Sequence, residues 1–266
     1  MSRLYSRLSQ LCGLAIIELS LSLYVLFAGT GFVAGFLNAI AGGGGLLTLP
    51  ILLWAGVPPL QALATNKCQS VFGTLSSSIN FFQKGYIDLK SIAPAMAIVA
   101  VFSALATWGV QQLSNQTLAQ LLPYFLIGIA LYTWLSPNLG DTDKPAKISA
   151  PSFTLISGAG IGLYGGFFGP GMGAIAALLF ASLLGYKLSK ATAHAKPLVL
   201  VSNLSSLIIF MFSGQVLWAI GLCMAATQIL GARLGSNLVI SKGSRIIKPL
   251  LLLTTLAIAL RLLWLA

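Results

Sequence analysis

Acidic residues are nearly absent from this 266-residue chain. Four Asp and Glu stand against fifteen Lys and Arg, and there is one histidine. The acids are Glu18, Asp88, Asp141 and Asp143; the aspartates lie in polar connections and Glu18 in the first apolar segment. So few carboxylates build no metal-binding cluster, which argues against a cation carrier and against any metal site. A carboxylate chain for relaying protons is equally hard to assemble. One histidine and four acids also make no Ser–His–Asp set or acid pair, so the chain is not expected to be an enzyme. No G-x-x-x-x-G-K-[ST] loop is present, and any energy source is a gradient or a separate subunit. Cys12, Cys68 and Cys223 are odd in number, far apart and in apolar context; they read as packing residues, with no disulfide framework. No cofactor is expected.

Charge of either sign is scarce. Only 7% of the residues are charged and 57% are hydrophobic, whereas soluble domains carry about 25% charged residues. Apolar runs at 91–111, 118–136, 190–212 and 246–265 approach the roughly 20 residues that cross a bilayer as helix. The alternation of an outer-membrane barrel is missing. The net charge of +11 is scattered through short connections, as in the cytoplasmic loops of membrane proteins. No aromatic-basic motif points to nucleic acid. The N-terminal "MSRLYSRLSQLCGLAIIEL" is signal-like, but without a convincing cleavage site it reads as a first, uncleaved membrane segment.

What the chain does have is a repeat. "GFLNAIAGGGGLLTLP" from Gly35 aligns with "GLYGGFFGPGMGAIAA" from Gly162, so Gly42 matches Gly169 and Gly44 matches Gly171. After a two-residue gap Gly56 matches Gly185, Ala62 matches Ala191 and Lys67 matches Lys196. "LSSSINFFQKG" from Leu75 then matches "LSSLIIFMFSG" from Leu204, pairing Ser77 with Ser206 and Gly85 with Gly214. The polar stretch "SPNLGDTDKPAKISAP" joins the halves.

Each half has an apolar segment, a glycine-rich break, a short apolar stretch, a polar turn and three long helices. The short stretches (46–55 and 172–184) span roughly 15–20 Å as helix at 1.5 Å per residue, about half the hydrocarbon core. They are the length of half-helices in hairpins that enter the membrane and turn back. A re-entrant hairpin adds no crossing, so three crossings per half invert the second half. Loop charges agree: Lys84 and Lys90 flank one loop of the first half, and Lys242, Arg245 and Lys248 the next loop of the second. The expected fold is an all-α polytopic membrane protein. It has about eight membrane segments in two inverted repeats, 1–137 and 152–266, joined by 138–151.

Inverted-repeat carriers place substrate between broken helices whose N-terminal ends face anions. Gly42, Gly43, Gly44, Gly45, Gly169, Pro170 and Gly171 are therefore the candidate tips, with Pro170 suited to a first helical turn. "GFVAG" (Gly31, Gly35) and "GARLG" (Gly231, Gly235) read instead as close helix packing. Lys67 and Lys196, expected at the start of the helix after each hairpin, supply compact positive charge; the alternative is a lysine snorkelling to the interface. Asn66, Ser77, Asn203 and Ser206 can donate to an oxyanion or bond between helices. His194, matched by Thr65, is a candidate for coupling or gating, together with Glu18, Ser77 and Ser206.

Taken together, "GFLNAIAGGGGLLTLPILLWAGVPPLQALATNK", "GFFGPGMGAIAALLFASLLGYKLSKATAHAK", "SNLSSL", "SGQV" and "GSRIIKPL" resemble the sulfite exporter TauE/SafE (TSUP) family, in its YfcA-like branch. The resemblance covers nearly the whole chain. It implies a multi-pass carrier of the bacterial inner membrane, exporting sulfite, sulfonates or related sulfur-containing organic anions. Some members carry an acid near the second glycine motif, where this chain has Tyr164. An anion channel of the same architecture, or a carrier for non-sulfur organic anions, would need the same features. The expected partners are a small anion and the lipid bilayer, with a homo-oligomeric state compatible.

Overall fold

The computed structural model describes residues 21–135, 142–243 and 245–246. These form nine helices and no strand: α1 Leu21–Ala41, α2 Gly44–Trp54, α3 Pro59–Gln83, α4 Leu89–Val110, α5 Asn115–Leu135, α6 Ala150–Phe167, α7 Met172–Leu183, α8 Leu188–Phe212 and α9 Trp218–Lys242. Three of the expected apolar runs fall on α4, α5 and α8. Nearly all of the fourth, and Glu18 with it, lies outside the described residues. Helices α1, α4 and α8 are long and apolar enough to cross a bilayer, and α2 and α7 are short and apolar.

Local chemistry sets the helix ends. Pro58 and Pro59 open α3, where a missing N–H costs nothing. Asp88 caps α4 by accepting from the Lys90 and Ser91 amides, and Ser149 caps α6 through the Ser152 amide. This correction follows: Lys67 and Lys196 do not start their helices. The prolines move the start of α3 back to residue 59, and Leu188 begins α8, so each lysine stands about two turns inside.

The side-chain distribution suits a lipid solvent. Trp108, Phe212, Val101, Leu105, Leu155 and Leu230 face outward, while Thr65, Gln69, Asn80, Ser202 and Gln228 are buried. Helix α1 packs on α9, and α6 on α4. Glycines make both contacts close. Gly31 faces the Met224 carbonyl and Gly35 that of Gln228; their repeat mates Gly158 and Gly162 face the carbonyls of Ala95 and Val99, which are the mates of Met224 and Gln228. Gly231 and Gly235 lie against the Phe32 and Phe36 carbonyls, as their packing role requires.

Among the described residues the two ends of the bundle differ in charge. At one end the α3–α4 turn, the 142–149 segment and the α7–α8 turn meet. The Asp88 amide reaches His194, the Lys144 and Lys147 amides bond Gly185 and Leu183 carbonyls, and the Tyr86 hydroxyl bonds the Ile240 carbonyl. Lys84, Lys90, Lys144, Lys147, Lys187 and Lys190 gather there. At the other end the Leu60 amide bonds Asn115 and the Leu217 amide bonds Thr65. No charged residue occurs at 55–61, 111–117 or 213–218.

Within the basic end, Asp143 accepts from the Lys187 amide at 2.7 Å and faces Lys190 at 3.7 Å. The amide bond, with the two lysine charges, holds its carboxyl below the usual value. Lys190 lies 3.9 Å above the Tyr186 ring.

Candidate functional site

Two breaks in helix lie at the centre of the arrangement. The first separates α1 from α2 at Gly42 and Gly43; the second separates α6 from α7 at 168–171. Gly42 and Gly169, matched in the repeat, have φ of 71° and 97°. That left-handed region is open to glycine and strained for residues with a Cβ. The matched pairs Gly56 with Gly185 and Gly85 with Gly214 also share positive φ.

The tips touch. Gly42 lies against the backbone of Gly173 and Ala174, and a Cβ on Gly45 would sit 3.1 Å from the Pro170 Cα. Gly44 begins α2 and packs against the Ala34 carbonyl and Asn38, which closes α2 onto α1. The Tyr164 hydroxyl donates to the Pro170 carbonyl at 2.5 Å, bracing the second break from α6. Two helix N-termini, at Gly44 and Met172, thus begin beside one another's tips. Each carries N–H groups free of helical acceptors and a partial positive charge.

Lys67 and Lys196 are almost completely buried, 1% and 0% exposed. Neither snorkels. Lys67 Nζ donates to the Gly165 carbonyl and lies 3.5 Å from Asn203 Oδ1. Lys196 Nζ donates to the Asn38 carbonyl at 2.5 Å. Asn38 and Gly165 are repeat mates, four residues before Gly42 and Gly169. Each lysine therefore crosses to the other half and is held by a carbonyl near the C-terminal end of that half's broken helix, where the helix dipole favours a cation. A Cβ on Gly169 would collide with Lys67 Nζ, so the second break admits that ammonium only because residue 169 is glycine.

The remaining candidates are distributed unevenly. Asn203 joins the Lys67 site. Asn66 is buried beside it in sequence, but its Oδ1 accepts from Gln69 Nε2 at 3.1 Å. Ser77 bonds the Gly73 and Thr74 carbonyls of its own helix, and Ser206 accepts from Thr107 at 2.9 Å. The Ser77 hydroxyl thus turns back on its own helix, and that of Ser206 joins α8 to α4. His194 sits at the basic end of α8, away from the breaks. The sequence did not point to Asn38 or Gly165, because they act through backbone carbonyls. Their one visible signal is a shared position one turn before the paired glycines.

Among the described residues the only ion pair is Lys190 with Asp143, and no group of three His, Cys, Asp or Glu could hold a metal. Neither buried ammonium has a carboxylate partner there. The breaks thus bring together two cations, two helix N-termini and only neutral oxygens. Such a set offers hydrogen-bond donors and no carboxylate.

Residues 27–262 match the family model described as Sulfite exporter TauE/SafE. A probable membrane transporter protein from Sinorhizobium sp. is 44% identical over 87% of this chain and 89% of its own length. One from Haemophilus influenzae is 42% identical, covering 89% of this chain and 92% of that protein. The probable membrane transporter protein YfcA of Escherichia coli K12 is 43% identical over 87% and 86%. No solved structure matches.

Proposed function

The chain belongs to the sulfite exporter TauE/SafE family, and on that premise we propose that it is a secondary carrier for small anions, sulfur-containing ones first among them. The observation that carries the proposal is the crossed lysine pair at the two touching breaks. Burying two ammonium groups in a membrane protein is costly, and such groups are retained where they serve a pathway. Here each is steadied by a helix carbonyl and leaves further N–H donors for an incoming anion. The N-termini of α2 and α7 add donors from the opposite side. The family's description supplies the sulfite expectation; the names of the relatives say only transporter.

The same reading makes the halves an inverted pair with eight membrane segments. It is supported by the exchange of contacts between matched positions and by hairpins whose short arms return to opposite ends, α2 to the uncharged end and α7 to the basic one. Basic loops favour the cytoplasm, so the end bearing Lys84, Lys144 and Lys187 faces inward across a bacterial inner membrane. Alternating access then consists of the two hairpins parting on one side at a time around the lysines.

Proteoliposomes containing the purified chain test this. Labelled sulfite or a small sulfonate should move down its gradient with saturation, and anion on the far side should accelerate exchange. Absence of flux for every small sulfur or carboxylate anion offered overturns the proposal, and single-channel currents would recast the protein as a pore.

A further inference from the structure

His194 is the only histidine in the chain, and its two ring nitrogens are both committed. Nδ1 lies 2.9 Å from the Lys190 carbonyl, one turn back on α8. A carbonyl only accepts, so Nδ1 carries the proton. Nε2 lies 3.3 Å from the backbone N–H of Asp88, the cap of α4. A backbone amide only donates, so Nε2 is bare. The ring is therefore neutral in this arrangement, and it ties the cap of α4 to α8.

The opposite half makes the same joint with different chemistry. Thr65 is the repeat mate of His194, and Leu217 that of Asp88. Thr65 Oγ1 accepts from the Leu217 N–H at 3.2 Å, tying the cap of α9 to α3. One joint, at the basic end, uses an imidazole, which can take a second proton; its twin, at the other end, uses a hydroxyl, which does not.

We propose that His194 is a proton-binding site that holds the α4–α8 joint while neutral and releases it on protonation. A proton on Nε2 faces the Asp88 N–H with a second donor, so the bond and the imidazolium exclude one another. The joint opens, and the proton resides on Nε2 until it is returned to water. The groups around the ring are Asp88 from α4, Lys190 from α8 with its partner Asp143, Phe180 from α7 at 5.8 Å, and Tyr186 from the α7–α8 turn at 5.1 Å. The imidazole thus lies between aromatic faces with charge of both signs nearby, at the end where one hairpin re-enters. Linked to the carrier reading, the joint makes opening at the basic end depend on proton concentration there, while the other end has no such dependence.

The test uses the full-length chain in detergent or nanodiscs and does not need transport. Nitrogen-15 spectra of the single histidine report its tautomer and titration, and hydrogen exchange reports protection of the Asp88 amide. The expected result is a bare Nε2 at about pH 8, and an Asp88 protection factor that falls with decreasing pH along the ring's own titration, by up to about tenfold per pH unit below its midpoint. His194→Thr, which copies the other half, should keep the amide protected and flatten that dependence. Asp88, Asp143 and Lys190 remain in the variant, so a fall that persists belongs to them and overturns the proposal. So does a ring that titrates while Asp88 protection stays constant, a reading that needs only the unmodified protein. Failure of anion flux would sink the carrier reading and leave the exchange result standing.

Discussion

The two lysine sites are matched in position and unequal in company. Lys67 has the Gly165 carbonyl and the Asn203 amide oxygen; Lys196 has, among the described residues, the Asn38 carbonyl alone at its ammonium. The repeat mate of Asn203 is Thr74, whose hydroxyl turns back to the Ser70 carbonyl of its own helix at 2.6 Å. The tips differ too: Gly42 and Gly43 bridge the first break, while Pro170 and a second left-handed glycine, Gly171, bridge the other, with Tyr164 bracing it. A duplicated frame thus keeps what holds a cation, the crossed lysine and its carbonyl. It varies what surrounds that cation. The Lys67 ammonium has one more oxygen beside it, and the Lys196 ammonium has more donors to give to a ligand.

The largest effect is expected where that frame is broken outright. Gly42→Ala places a Cβ against the Gly173 backbone at a positive φ. Strain of about 1–2 kcal/mol adds to an overpacking cost of about 1–3 kcal/mol. Thermal unfolding in detergent should show a clear loss of stability and flux should vanish. Gly29→Ala, in a helix with open space around it, should leave both unchanged. Wild-type behaviour of the first variant would mean that the tips do not touch.

Removing either charge is next. Lys67→Gln and Lys196→Gln should each lower anion flux by about tenfold or more, as loss of a charge-assisted contact does, while circular dichroism stays helical. Lys196→Gln should raise the substrate concentration needed for half-maximal flux more than Lys67→Gln, since Lys196 has the freer ammonium. Equal effects would erase the difference between the sites. Asn203→Thr makes the Lys67 site resemble its twin. It should change the apparent affinity only a few-fold, on the scale of one hydrogen bond; an unchanged affinity would remove Asn203 from the site.

The smallest effect belongs to the basic end. The Asp143 carboxyl titrates below its ordinary value because the folded chain donates to its charged form. A lowered value means stability that is present above the unfolded pKa and is lost as pH falls through the folded one. Asp143→Asn should therefore cost under about 1 kcal/mol at neutral pH, as exposed pairs do, and the two proteins should converge in acid. A difference that persists in acid would point to packing instead of charge.

Much of this comparison is legible in the chain. The glycine clusters, the paired lysines and the half-length segments all lie in the linear pattern, and each reappears as a break, a buried ammonium or a short helix. The basic loops meet at one end as their charge suggests. Lysine depth is not legible in the chain: the polar context of "ATNKCQS" reads as a turn, while Pro58 and Pro59 start the helix earlier. Asn66 was chosen as a polar side chain next to Lys67, yet it faces Gln69. Adjacent residues on a helix point about 100° apart, so nearness in sequence is not nearness at a site.

By itself the sequence determined the solvent of the protein and the repeated pattern of its glycines and lysines. Few charges and long apolar runs require a bilayer, and the matched glycines and lysines recur along the chain at corresponding positions. Only the tertiary structure decided which half each lysine serves. A backbone carbonyl is the same in every residue, and a lysine stem can reach several ways. The partners Gly165 and Asn38 are chosen solely by how the two hairpins are packed against α3 and α8.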